Sequence, residues 1–106
     1  MRYLKLFEDY VSGMFGLNLD GEYMVFNLYI QKSGDNVTNV YILLDDDIYD
    51  NLSIETPDSS SLNDEEFFLN PDVDKRIVHE LIRQNFITKS DKRTIAGDKE
   101  TVSYYL

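Results

Sequence analysis

The sequence predicts an α+β domain: an antiparallel sheet of two β-hairpins, with an N-terminal helix and a second helix packed on one face. Three observations predict it. Positions 24, 26, 28 and 30 are all apolar while the intervening positions are mixed, which is the period of a strand with one buried side. Apolar residues recur at helical spacing over 3–15 and again over 71–84. Gly97-Asp98 separates two strand-like runs near the end of the chain.

In chain order, Leu4, Phe7, Val11, Met14 and Phe15 fall on one helical face, and Gly13 and Gly16 weaken and end that helix. Glu22 to Gln31 is the first strand, and Ser33-Gly34-Asp35-Asn36 is a turn cluster. Val37 to Leu44 alternates again, with Val40, Ile42 and Leu44 on one side. Both buried sides must lie on the same face of the sheet. That pairs Ile30 with Val40 and Leu28 with Ile42, or else Leu28 with Val40 and Phe26 with Ile42. On this parity the loop is expected to hold three or five residues.

Asp45-Asp46-Asp47 stops the strand by crowding like charge, and Tyr49, Leu52 and Ile54 suggest a short further strand or turn at the sheet edge. Thr56 to Asn63 has the composition of an exposed loop, and Asp64 to Leu69 is compatible with a short helical turn. Asn70-Pro71-Asp72 reads as an N-cap, a proline at the first helical position and an acid in the first turn. The helix then runs to Gln84 with Val73, Ile77, Val78, Leu81 and Ile82 on one face. Gly97-Asp98 suits a type II′ hairpin pairing Ala96 with Lys99 and Thr94 with Thr101. The expected core is Met24, Phe26, Leu28, Ile30, Val40, Ile42, Leu44, Val73, Ile77, Leu81 and Ile82.

A chain of 106 residues that is 42% hydrophobic has enough apolar surface for one core and too little for two, so residues 1–106 are read as a single domain. There is no cysteine, hence no disulfide, thiolate nucleophile or Cys-ligated zinc, and a reducing compartment is expected. The longest apolar run, Val40 to Leu44, is too short to cross a bilayer, so the expected localisation is cytoplasmic.

The formal charge is −10, and the acids are not evenly spread. Residues 33–74 hold twelve acids and neither Lys nor Arg, residues 1–32 hold four acids and three bases, and residues 75–106 hold four acids and seven bases. A solvated surface accounts for such a tract in its plain form. Here, however, aromatic and aliphatic residues interrupt the acids, as in interface cores and rims. The candidate partner-binding residues are therefore Asp45, Asp46, Asp47, Tyr49, Asp50, Asp64, Glu65, Glu66, Phe67 and Phe68.

No catalytic motif accompanies them. His79-Glu80 begins like a zinc-protease helix, but position 83 is Arg and His79 is the single histidine. Ser12-Gly13 follows Tyr10 where a nucleophile elbow needs glycine. Counted from Asp45, a calcium loop would need an oxygen ligand at Tyr49, glycine at Asp50 and glutamate at Thr56. The expectation is a protein that is not an enzyme and has neither metal nor cofactor.

Leu81 to Thr88, followed by Lys89 to Arg93 and Glu100 to Leu106, resembles the last helix and wing of winged-helix proteins. That resemblance covers about the last third of the chain, and it implies nucleic-acid binding with Lys75, Arg76, Arg83, Lys89, Lys92 and Arg93 on phosphates. The acidic segment opposes a duplex nearby. The principal expectation is accordingly a non-catalytic, acidic protein-binding module that inhibits a partner by occupying its basic, nucleic-acid-facing surface. In size and charge it is similar to small phage anti-defence proteins, anti-CRISPR and anti-restriction proteins among them, and to immunity-type inhibitors. The winged-helix regulator is the alternative.

Overall fold

The computed structural model describes residues 7–106. Among these the chain runs through β1 (Phe7–Leu19), β2 (Glu22–Ser33), β3 (Asn36–Leu44), β4 (Asp47–Asn51), β5 (Ser53–Ile54), a 3₁₀ turn (Pro57–Ser61), β6 (Glu66–Leu69), α1 (Lys75–Arg83), β7 (Thr88–Ala96) and β8 (Lys99–Tyr105). The strands form two antiparallel sheets, ordered β1-β2-β3-β4 and β5-β6-β8-β7. The α+β layout with two helices is therefore corrected: the protein is mostly β, with a single α-helix among the described residues.

The N-terminal helix is the largest difference. Residues 3–6 lie outside the described residues, and the rest of the expected helix is the edge strand β1. Its turn is Asp20-Gly21, with φ of 53° and 87°, which closes the pair Leu19 and Glu22 as a type I′ hairpin. Phe15 and Leu19 point into the core, whereas Val11 and Met14, two supports of the helical spacing, face solvent. The glycines expected to end a helix mark close approaches to a strand instead: a Cβ on Gly13 would lie 2.7 Å from the Phe86 ring, and one on Gly16 would run into the Tyr23 phenol.

The β2–β3 hairpin pairs Leu28 with Ile42 and Ile30 with Val40, the first of the two expected registers. Its turn is the two residues Gly34-Asp35, shorter than expected, and it closes Ser33 on Asn36 at the wrong parity for the core. A bulge at Thr38 inserts one residue and restores the parity from Gln31 and Asn39 onward. The Thr38 hydroxyl donates to the Gln31 carbonyl at 3.1 Å. Phe26, Leu28, Ile30, Val40 and Ile42 are all buried, and Met24 and Leu44 sit at the core margin.

Leu52 carries the chain from the first sheet to the second. Its N–H donates to the Val40 carbonyl and its carbonyl accepts from the Asn70 N–H, both at 2.8 Å, and its side chain is fully buried. The segment 56–63 is largely exposed but ordered: Thr56 and Ser59 cap the 3₁₀ turn reciprocally, and Thr56 is buried against Thr94. Asp64 to Leu69 is not a helical turn, because Glu66–Leu69 is the buried strand β6.

α1 starts four residues later than Pro71. Asn70 closes a turn instead, accepting from the Asp72 and Val73 N–H groups, and Asp74 is the cap, accepting from the Arg76 N–H at 2.9 Å. The helix ends in a Schellman arrangement: Asn85 at φ 65°, Phe86 N–H to Leu81 and Asn85 N–H to Ile82. Ile77, Val78 and Leu81 are buried, while Ile82, placed in the core by the helical spacing, is 38% exposed. The β7–β8 hairpin has the expected pairs, and Gly97 has positive φ while Asp98 does not, as in type II′.

Leu28 and Ile77 are both fully buried, so replacing either by Ala should cost roughly 2–5 kcal/mol. The exposed Ile82→Ala should cost less than about 1 kcal/mol. Denaturant midpoints of the three variants check the assignment of faces.

Candidate interaction surface

The β3–β4 hairpin carries the first group of candidate residues. Asp45 and Asp46 occupy the two central turn positions, with φ of 52° and 68°, and close Leu44 on Asp47. Both central positions of a type I′ turn need the left-handed region, which Gly enters freely and Asp only at a cost. The three aspartates are exposed, as is Ile48 beside them. Tyr49 sits in a bulge, 43% exposed, with its ring 5.0 Å from that of the buried Phe26. Asp50 accepts from the Asn51 N–H at 2.8 Å.

The second group is divided by strand β6. Asp64 is exposed, and Glu65 is half-buried in an ion pair with Lys32. Glu66, Phe67 and Phe68 are inside the protein, at 1%, 2% and 1% exposure, which withdraws them from the surface assigned to them on sequence. The signal for this was present: four residues of Glu-Phe-Phe-Leu bounded by polar segments fit a strand buried on both faces, and only the acid argued for the surface.

Glu66 tolerates burial because it is fully partnered. Its carboxylate accepts from the Asn63 N–H at 2.8 Å, the Lys92 ammonium at 2.8 Å and the Ser90 hydroxyl at 2.5 Å. Desolvation by burial is the largest single influence and opposes ionisation. The Asn63 N–H, Lys92, Ser90 and Ser103 together outweigh it and hold the carboxyl at about 2.

The bases are similarly engaged. Arg76 bridges Asp74 and Asp20, Arg83 pairs with Glu80, Lys92 with Glu66, Arg93 with Glu100 and Lys99 with Asp72. Five of the bases on the C-terminal helix and hairpin thus already hold carboxylates. Within 7–51 the sequence has one base, Lys32, which is buried and held by Glu65. Asp35, Asp45, Asp46, Asp47, Asp50, Glu55, Asp58 and Asp64 form no ion pair among the described residues.

A cleft of about 330 Å³ between the start of β3, β5 and the 3₁₀ turn joins polar residues, among them Ser53, Asn63, Glu55 and Glu66, to apolar ones such as Val37 and Leu62, and has no His, Lys or Arg. Among the described residues no three His, Cys, Asp or Glu side chains converge as metal ligands. His79 lies on the exposed side of α1. No described helix is long and apolar enough to cross a membrane.

Glu66 sets an acid limb of stability. Because its folded value of about 2 lies below the ordinary 4.5, the native state binds this proton less readily than the unfolded chain. The stabilisation is complete above the unfolded value and is lost as pH falls through the folded one. The variant Glu66→Gln should be less stable than the parent at pH 7, and the gap should close by about 2–3 kcal/mol between pH 6 and pH 2. Urea midpoints across that range measure it.

No protein-family model, curated protein or solved structure matches the chain, so its function has to be read from its own surface chemistry.

Proposed function

We propose that this protein is a non-catalytic inhibitor that occupies a basic, nucleic-acid-facing surface of a partner protein. Asp45, Asp46, Asp47 and Asp50 take the place of phosphates, and Tyr49, with Ile48 beside it, gives the apolar anchor. The observation that carries this reading is the β3–β4 tip: exposed aspartates, two of them in the left-handed region, with no ion-pair partner among the described residues. Aspartate at the second central position, where a type I′ turn takes glycine at least cost, points to a role for the Asp46 side chain. A net charge of −10 disfavours contact with DNA or RNA and favours a cationic protein surface. Small acidic anti-defence inhibitors, of the anti-CRISPR, anti-restriction and immunity types, are the class of activity this proposes.

Affinity capture from the source cell with the protein and with its Asp45, Asp46, Asp47 and Asp50 to Asn variant tests the reading. The expected result is a nucleic-acid-binding protein that is held by the parent, absent from the variant and released by competing duplex DNA. Equal capture by both forms, or retention of the free parent protein on heparin at moderate salt, would contradict it.

Asp46→Gly separates stability from function at one residue. Glycine removes the cost of the left-handed conformation, so the melting midpoint should rise by the equivalent of about 1 kcal/mol, while affinity for the captured partner should fall.

A further inference from the structure

The side of the first sheet that faces away from the core carries a group of exposed apolar residues. Val11, Met14, Tyr23, Val25 and Ile48 project there, each between 48% and 67% exposed, at positions that alternate with or pair outside the buried residues of β2 and β3. Val11, Tyr29 and Tyr41 are paired in one row across β1, β2 and β3. The Tyr29 and Tyr41 rings are stacked, with centroids 6.2 Å apart and planes 21° from parallel. The Tyr29 hydroxyl donates to the Asp9 carboxylate at 3.0 Å, leaving that carboxylate at the end of the stacked pair with further lone pairs to offer.

Charge decides what such a face takes. The one base between residues 7 and 51, Lys32, lies on the buried side with the even positions of β2 and is held by Glu65. The β3–β4 tip adds its aspartates at one end. A second copy of the chain would bring the same acids against these, and a nucleic acid would bring phosphates. A protein surface bearing arginine matches on both counts. A guanidinium stacks on a phenol face and donates in its plane to a carboxylate, whereas lysine offers a point charge without the stacking.

We infer that the outer face of the first sheet continues the interface begun at the β3–β4 tip, and that Tyr29, Tyr41 and Asp9 receive an arginine side chain of the partner protein. This rests on the partner being basic, as proposed above. It adds that recognition is selective for arginine and is centred on β1–β3 as well as on the tip.

The test is a pair of titrations of the intact isotope-labelled protein at low salt, one with acetyl-hexa-arginine amide and one with acetyl-hexa-lysine amide, read from backbone amide resonances. The expected result is that the arginine peptide binds more tightly, by roughly two- to five-fold where only the guanidinium gains the contact with an exposed aromatic face. Its shifts should extend over residues 9–11, 29–31 and 39–43. Tyr41→Leu should abolish the preference, and Tyr41→Phe, which keeps the ring, should retain it. Equal affinities with shifts confined to residues 45–50 would overturn the arginine site and leave the basic-partner reading standing. Failure of both peptides to bind would overturn both. If Tyr41→Leu does not fold, the ratio measured on the parent protein still decides.

Discussion

Both sheets share one core because the chain leaves β4 and enters β5 at a residue that is bonded to each. Leu52 donates to Val40 in the first sheet, accepts from Asn70 beside the second, and fills the space between them with its side chain. Ser53, the next residue, accepts from the Val40 N–H through its hydroxyl at 2.8 Å. The position of β4, and so of the acidic tip, follows from this junction at one end and from Tyr49 on Phe26 at the other. A short edge strand that would fray by itself is held by a core residue.

The junction also separates two charge regimes. Before it, the described chain has a single base, and after it Glu66, Asp72, Asp74, Glu80 and Glu100 each have a base against them. Most of those pairs are exposed, where one ion pair is worth about 0–1 kcal/mol. Their main consequence is therefore the map of free charge rather than stability. Glu66 and Lys92 differ, since the carboxylate is buried and is left without a counter-charge if the pair is broken. What remains unneutralised is concentrated on loops and on the tip, and cancellation by Lys99 and Arg76 reaches only Asp72, Asp74 and Asp20.

Much of this was legible in the residues, and the failures have physical causes. Period two from Met24 to Ile30 and from Val40 to Leu44 narrowed the central hairpin to two registers of the same parity, because one residue of slip would turn Leu28 to water, and the structure has the one that pairs Leu28 with Ile42. The bulge at Thr38 was not legible, since parity alone admits either a longer loop or an extra residue. In the N-terminal segment two periods compete: Val11 and Phe15 are four apart, as on a helix, yet Phe15 shares one face of a strand with Leu17 and Leu19. Asp20-Gly21, a strong hairpin signal, favours the strand. At the candidate surface, Asp45 to Asp50 lies where acids and an aromatic ring are reachable, whereas Glu66 to Phe68 is a strand whose single acid finds Lys92 from a hairpin far along the chain. That contact is set by tertiary pairing and leaves no local trace.

Hydrogen–deuterium exchange on the complex with the captured partner addresses the central claim, that the base-poor first sheet and its tip are the contact surface. Binding is expected to slow exchange of the amides of residues 45–50 and of the strands of the first sheet, with the amides of α1, β7 and β8 unchanged. Protection confined to α1 and the β7–β8 hairpin would contradict it.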